Sequence, residues 1–222
     1  MRSHRKDPSM HTSSEMNLKT LHTLSYGLFV LTVRDGDKRN GCITNTAIQA
    51  ASAPNQIVFC VNKANLTHEM LVSSRRCNLS VISEAADFEL YKRFGFQSGR
   101  DADKFAGFSG YRIAENGIPA ITEGTNAYFS LEVGQTLDLG SHTLFVAEPV
   151  AMEILSGDPS ATYAYYQEHV KPRPEAVGKT PEGQTVWRCK ICGYEYVGEE
   201  LPEDFICPIC KHPASDFERA GS

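Results

Sequence analysis

Two Cys-x-x-Cys pairs near the C-terminus constrain the fold of this 222-residue chain more than any other feature of it. The first reads Cys189-Lys-Ile-Cys192 and the second Cys207-Pro-Ile-Cys210, with fourteen residues between them. Each pair can wrap one side of an ion with two thiolates. Two such knuckles face to face complete a tetrahedral four-sulfur shell, which suits iron or zinc and excludes calcium and magnesium. Gly193, directly after the first knuckle, can take a left-handed turn without a Cβ clash and leave backbone N–H groups for the sulfurs. A module of under about forty residues buries too little surface to fold alone, so its metal is also its core.

The surrounding residues bear on which metal. From Trp187 to the end, four cations (Arg188, Lys190, Lys211, Arg219) stand against seven acids (Glu195, Glu199, Glu200, Glu203, Asp204, Asp216, Glu218), the wrong balance for a zinc ribbon that grips phosphates. Trp187, Tyr194, Tyr196, Phe205 and Phe217 predict an aromatic cluster beside the metal, a low-polarity shell that would tune a redox iron. A structural zinc stays open, because the same thiolates bind it readily. From Trp187 to about Arg219 the stretch resembles rubredoxin, the one-iron electron-transfer domain. The resemblance rests on Cys-x-x-Cys-Gly-Tyr, on Pro202-Glu-Asp-Phe-Ile-Cys-Pro208 and on Asp216-Phe-Glu218. The insert between knuckles is shorter than in most free-standing rubredoxins, and Lys211 stands where a glycine is usual.

The remaining length has room for one mid-sized domain. A net charge of −5 argues against nucleic acid or an anionic membrane as partner. No apolar run approaches the roughly twenty residues of a membrane span, and the first residues carry no hydrophobic signal core. A cytoplasmic protein is expected, where thiols stay reduced. Cys42, Cys60 and Cys77 sit in apolar or strand-like contexts and read as small buried residues. The expected organisation is a disordered leader over 1–16, a main domain over 17–170, a Pro- and Gly-containing linker over 171–184 and the metal module over 185–222.

Within the main domain, Leu18, Leu21 and Leu24 predict one apolar face of a short helix, and Tyr26–Val33 a strand that turns at Asp35-Gly-Asp37. Asn40 to Ser52 is β-branched but too polar for a plain core strand. Gln56–Val61 reads as a buried strand, Asn62–Val72 as a polar turn opening a helix, Asn78–Ile82 as a strand, and Ala85 to about Arg93 as a helix. The Gly- and charge-rich stretch from Phe94 to Phe105 reads as a loop. Strands are expected over Ala127–Val133 and Ser141–Ile154, the latter bent at Pro149, and a short helix over Ala161–His169. Many short strands with few helices predict a mainly β fold closed into a barrel. Neither a dinucleotide-binding G-x-G-x-x-G nor a P-loop is present.

The order of motifs over about Asn17 to His169 resembles the flavin reductase-like, FMN-binding split β-barrel. They are Asn40-Gly-x-Ile-Thr-Asn-Thr-x-x-Gln49, then Val61-Asn-Lys-x-Asn-x-Thr-His-Glu69, then Gly140-x-His-Thr-Leu-Phe-Val146. The resemblance implies that Thr44, Asn45, Thr46 and Gln49 stand beside the isoalloxazine or ribityl chain of FMN. It sets Asn62, Lys63, Asn65 and Thr67 near the flavin tail, where a lysine and a helix N-terminus favour a phosphate. Ser98 and Arg100 are further phosphate candidates, against a solvated charged loop. His142 is the candidate to contact nicotinamide or ring, against an ordinary hydrogen-bonded strand histidine. His68 is a weaker candidate, and Tyr163 and Tyr166 read as packing or dimer-contact residues.

Joined to a C-terminal rubredoxin module, the arrangement resembles the high-molecular-weight rubredoxin family. That resemblance implies electron flow from NADH or NADPH through FMN to a single iron held by Cys189, Cys192, Cys207 and Cys210. It also implies delivery to a flavodiiron oxygen or nitric oxide reductase, from a homodimer. Two other readings stay open: a reductase releasing reduced flavin, with a structural zinc or docking module, and a non-catalytic flavin-binding regulator.

Overall fold

The computed structural model describes residues 18–171, 185–190, 194–207 and 213–220. The expected leader, most of the linker, and Cys192, Gly193, Cys210 and Lys211 lie outside the described residues. The chain begins with a 3-10 turn, Leu18–Thr23, in place of the expected amphipathic helix, and Leu21 and Leu24 are exposed. β1 (Phe29–Asp35) and β2 (Lys38–Thr44) form the expected hairpin, with Gly36 at φ +58° in its two-residue turn. β3 (Ala47–Ser52) and β4 (Asn55–Asn62) form a second. Ile57, Phe59 and Val61 of β4 alternate into the core as its sequence pattern predicts. Next come α1 (Leu66–Ser74), β5 (Arg76–Ile82) and α2 (Phe88–Gly95), whose start is set by Asp87 accepting from the Glu89 N–H at 2.9 Å.

A short hairpin not foreseen from the sequence follows, β6 (Tyr111–Ile113) with β7 (Pro119–Ile121). It is pinned to the main sheet by buried polar groups. Asn78 Nδ2 donates to the Ile118 carbonyl at 2.8 Å, and the Ile121 N–H donates to Ser80 Oγ at 3.0 Å. The long strands β8 (Thr125–Asp138) and β9 (His142–Ile154) then complete a seven-stranded antiparallel sheet in the order β2-β1-β5-β8-β9-β4-β3. Register shifts at Ser130/Leu131 and Val133/Gln135 bend the β8–β9 pair and curl the sheet. Pro149 lies beyond the last β9 residue that pairs with β4, so its missing N–H breaks no ladder on that side. Helix α3 (Tyr163–Tyr165) runs directly into a π turn, Tyr166–Val170.

Two apolar cores share β1. Leu31 and Val33 join Phe59, Leu71, Leu79, Leu131 and Phe145 inside the curled sheet, with Phe59 and Phe145 stacked 5.4 Å apart. Val30 faces the other way, toward Ile82, Leu90, Tyr91, Phe94, Phe105 and Tyr166 under α2 and α3. Burial on both faces explains why β1 reads as a continuous apolar run.

At the C-terminus β10 (Val186–Cys189) pairs with β11 (Glu195–Val197) and β12 (Phe217–Arg219) in a separate three-stranded sheet. Cys189 and Cys207 are buried with Phe217, and Trp187, Tyr194, Tyr196, Leu201 and Phe205 pack around them. The Phe205 ring meets that of Tyr196 at 4.8 Å and that of Phe217 edge-on at 5.3 Å.

Candidate functional site

β2 and β4 meet where the sheet curls back on itself, and side chains rather than a backbone ladder join them. Thr44 Oγ1 donates to the Cys60 carbonyl at 2.9 Å. Thr44 at the end of β2 and the link Asn45-Thr46 to β3 therefore border a cleft of about 180 Å³, together with Cys60, Asn62, Asn65 and His142. His142 Nδ1 lies 2.9 Å from Ser141 Oγ. A larger cavity of about 590 Å³ shares the residues Leu28, Ile43, Asn62, Asn65 and Tyr163 with this cleft, so the two adjoin. The larger part is walled by Tyr91, Phe96 and Tyr166, by Thr67 at the start of α1, and by the turn Gln97–Asp101.

Each expected flavin residue can be placed. Thr44, Asn45, Thr46 and His142 line the narrow cleft, and Asn62 and Asn65 line both parts. Thr67, Ser98 and Arg100 line the larger part. Gln49 lines neither; it faces an apolar groove of about 340 Å³ with Ile48, Ile57, Phe129 and Met152, and its amide donates to Asn55 Oδ1 at 3.1 Å. Lys63 is likewise outside both parts, its Nζ bound to Asp138 at 2.6 Å. Arg100 is paired with Glu69 of α1, and that hydrogen bond holds the Glu69 carboxyl below its usual range. His68 bonds Thr143 Oγ1 through Nε2 at 2.8 Å and lies edge-on to Phe145, and burial lowers its pKa. It is a neutral packing residue at pH 7.

The structure adds residues that sequence patterns did not single out. Asn40, a buried residue of β2, donates to Thr67 Oγ1 at 3.1 Å and lines the larger cavity with Cys42 and Lys104. Lys104 is buried and donates to the Gly41 and Phe94 carbonyls at 2.8 and 3.1 Å. Tyr163 and Tyr166, expected as packing or dimer-contact residues, line the larger cavity; the Tyr166 ring lies 4.9 Å from that of Tyr91. The Tyr91 hydroxyl is buried with no hydrogen-bond partner among the described residues, and burial pushes its pKa up to about 12, so it remains a donor. Only their partners across the fold distinguish these residues from ordinary loop and helix positions.

A flavin needs apolar or aromatic walls for its ring, short polar groups for ring edges and ribityl hydroxyls, and cationic or N–H donors for its phosphate. The two adjoining cavities supply each, and the Tyr91 hydroxyl is a buried donor with no acceptor among the described residues. In the small module, Cys189 and Cys207 share one buried aromatic cluster, the chemistry a thiolate metal site requires.

Comparison with known proteins agrees with this arrangement. Residues 21–173 match the flavin reductase-like domain family, and residues 187–218 match the rubredoxin-like domain of rubrerythrin. The chain is 37% identical to a high molecular weight rubredoxin of Moorella thermoacetica, over 92% of this chain and 100% of the relative. It is 35% identical to a ferric-chelate reductase (NAD(P)H) of Archaeoglobus fulgidus, over 78% of this chain and 98% of the relative. The fold is also that of an FMN-binding protein of Thermus thermophilus, with TM-score 0.55 and 24% identity over 78% of this chain and 87% of that one. The chain therefore belongs to the high-molecular-weight rubredoxin family, a mainly β flavin reductase-like oxidoreductase domain carrying a small rubredoxin-like domain at its C-terminus.

Proposed function

We propose that this protein is an electron shuttle taking reducing equivalents from NADH or NADPH through FMN to one iron held by Cys189, Cys192, Cys207 and Cys210. From there they pass to a flavodiiron oxygen or nitric oxide reductase. The observation that carries the reading is the pairing, on one chain, of adjoining aromatic and polar cavities with cysteines buried in an aromatic shell. Bound in the cavity, FMN supplies hydride acceptance and one-electron release, the conversion that a one-iron centre cannot perform by itself.

The chain's own residues bind and orient. Thr44, Asn45 and Thr46 present hydroxyl and amide groups along the narrow cleft, suited to ring edges or ribityl hydroxyls. Asn62, Asn65, Thr67 and Ser98 do the same for the tail, with the first turn of α1 adding N–H groups that lack intrahelical partners. His142, steadied through Nδ1 by Ser141, stands at the cleft wall where a nicotinamide would approach. No general base is required, because hydride transfer removes no proton from the donor carbon. We assign the flavin domain to 17–170, a tether to 171–184 and the iron module to 185–222, so that the carrier stays at high effective concentration near the flavin. The acidic excess of the module suits docking to a basic patch on the acceptor.

An outer sheet face bearing Ile48, Val150, Met152 and Ile154, all exposed, borders the apolar groove and supports a homodimer through that face. A reduced cytoplasmic setting fits the thiolate site. No helix among the described residues is long and apolar enough to cross a membrane.

The test is the visible spectrum of anaerobically purified protein before and after one equivalent of NADH, with metal content measured alongside. Ferric-thiolate bands over a flavin spectrum, both bleaching on NADH addition, are the expected result. One zinc per chain with a flavin spectrum would refute the shuttle and leave a flavin reductase; a colourless protein would refute the flavin as well.

A further inference from the structure

Of the cations Lys63, Arg100 and Lys104, which lie in or beside segments that form the larger cavity, two already have carboxylate partners. Lys63 is bound by Asp138 and Arg100 by Glu69. Lys104 differs. It is 4% exposed, and its Nζ donates to two neutral acceptors, the Gly41 and Phe94 carbonyls. Among the described residues it forms no ion pair, and the only ionisable group bearing on it is the Cys42 thiol. That thiol is itself pushed up by burial and is neutral at pH 7. An ammonium has three N–H donors, so two carbonyls leave one donor and a full charge unmatched. Buried charges are otherwise paired, because an isolated ammonium away from water is costly. Burial accordingly lowers the Lys104 pKa from its ordinary value.

Lys104 also lines the larger cavity, whose wall includes the turn Ser98-Gly99-Arg100 and, in Leu66 and Thr67, the first turn of α1. A charge lacking its counter-ion thus shares one cavity with a helix N-terminus and a serine hydroxyl, the donors that suit a phosphate monoester. We propose that Lys104 is the counter-ion of the flavin's terminal phosphate, giving its third N–H to a phosphate oxygen and selecting FMN over unphosphorylated riboflavin. This rests on the flavin reading above. It shifts the phosphate cation from Lys63 or Arg100, each engaged by a carboxylate, to a residue of the charged loop.

FMN and riboflavin differ only in the phosphate, so they separate a phosphate contact from a structural one. Full-length apoprotein, wild type and Lys104→Met, is titrated with each flavin by fluorescence quenching. Wild type should prefer FMN. The substitution should weaken FMN binding by about 10- to 150-fold, the range of a hydrogen bond to a charged group, and leave riboflavin within about twofold, so that the preference collapses. Equal loss for both flavins, or an unchanged preference, would overturn the proposal and leave Lys104 as a clamp between β2 and α2. Should Lys104→Met fail to fold, Lys104→Arg, which keeps the charge, should retain a preference for FMN. Inorganic phosphate should also compete with FMN but not with riboflavin on the wild type; lack of that competition overturns the proposal. If the wild type binds both flavins equally, the flavin reading stands and the role of Lys104 falls. If it binds neither, both fall.

Discussion

Gly99 offers the sharpest test of how the cavity is built. A Cβ at this position would sit 2.6 Å from Asn40 Cγ and closer still to both amide atoms of that side chain. Asn40 is buried and tied to Thr67 Oγ1 at 3.1 Å, so it has little freedom to retreat. Gly99→Ala must therefore displace either Asn40 or the Ser98–Asp101 turn, which carries Ser98 and Arg100 into the cavity. Over-packing of this kind costs about 1–3 kcal/mol. If the turn absorbs it, the cost falls on ligand affinity, and the dissociation constant for FMN rises about 5- to 150-fold. If Asn40 yields instead, the same energy appears as stability, a loss of about 2–4 °C in melting temperature per kcal/mol for a domain of this size. Fluorescence titration and thermal melting of the same preparation separate the two routes. Gly157→Ala is the control, since a Cβ there meets no heavy atom within 4 Å. A Gly99→Ala protein that matches wild type in both measurements would refute the close approach of turn and amide.

Phe145→Ala removes a fully buried ring stacked on Phe59 in the barrel core and should destabilise the protein by about 3–5 kcal/mol, read by urea unfolding. Cys189→Ser should lose the bound metal by elemental analysis and shift the emission of Trp187, the sole tryptophan, to the red as the aromatic cluster loosens. Glu69 has its folded pKa depressed below 4.5 by Arg100, so the pair's contribution is present above that pH and is lost as pH falls through the lower folded value. Glu69→Gln should therefore be slightly less stable than wild type near pH 7, with the difference vanishing in acid, as measured by melting temperature against pH. A difference that grows in acid would contradict the ion pair.

Local pattern was enough for several elements because the responsible forces are local. The period-two burial of Ile57, Phe59 and Val61 follows from the pleat of β4, and the Gly36 turn joins strands already adjacent in the chain. Cysteine spacing likewise encodes two knuckles, since each bites a metal with residues three apart. The short β6–β7 hairpin escaped because its three-residue strands hold no period, and long-range bonds from Asn78 and Ser80 fasten it. Residues Leu18–Thr23 had the spacing of an amphipathic helix, but among the described residues no surface buries Leu21, and the short segment forms a 3-10 turn.

The sequence by itself determined a mainly β domain followed by a four-cysteine module, and it marked Thr44 to Thr46, Asn62, Asn65, Thr67 and His142, which all line one of two adjoining cavities. Only the tertiary structure decided which charges are available there. Lys63 and Lys104 look alike in a string of letters, yet Lys63 meets Asp138, 75 positions away, whereas Lys104 is buried without a carboxylate among the described residues. Gln49 belongs to the same motif as Thr44, but it lies beyond the join of β2 and β3 and faces the outer groove. Side-chain direction along a strand is set by the neighbouring peptide units, whereas the partner a charge meets is set by how the sheet curls and which loops close over it.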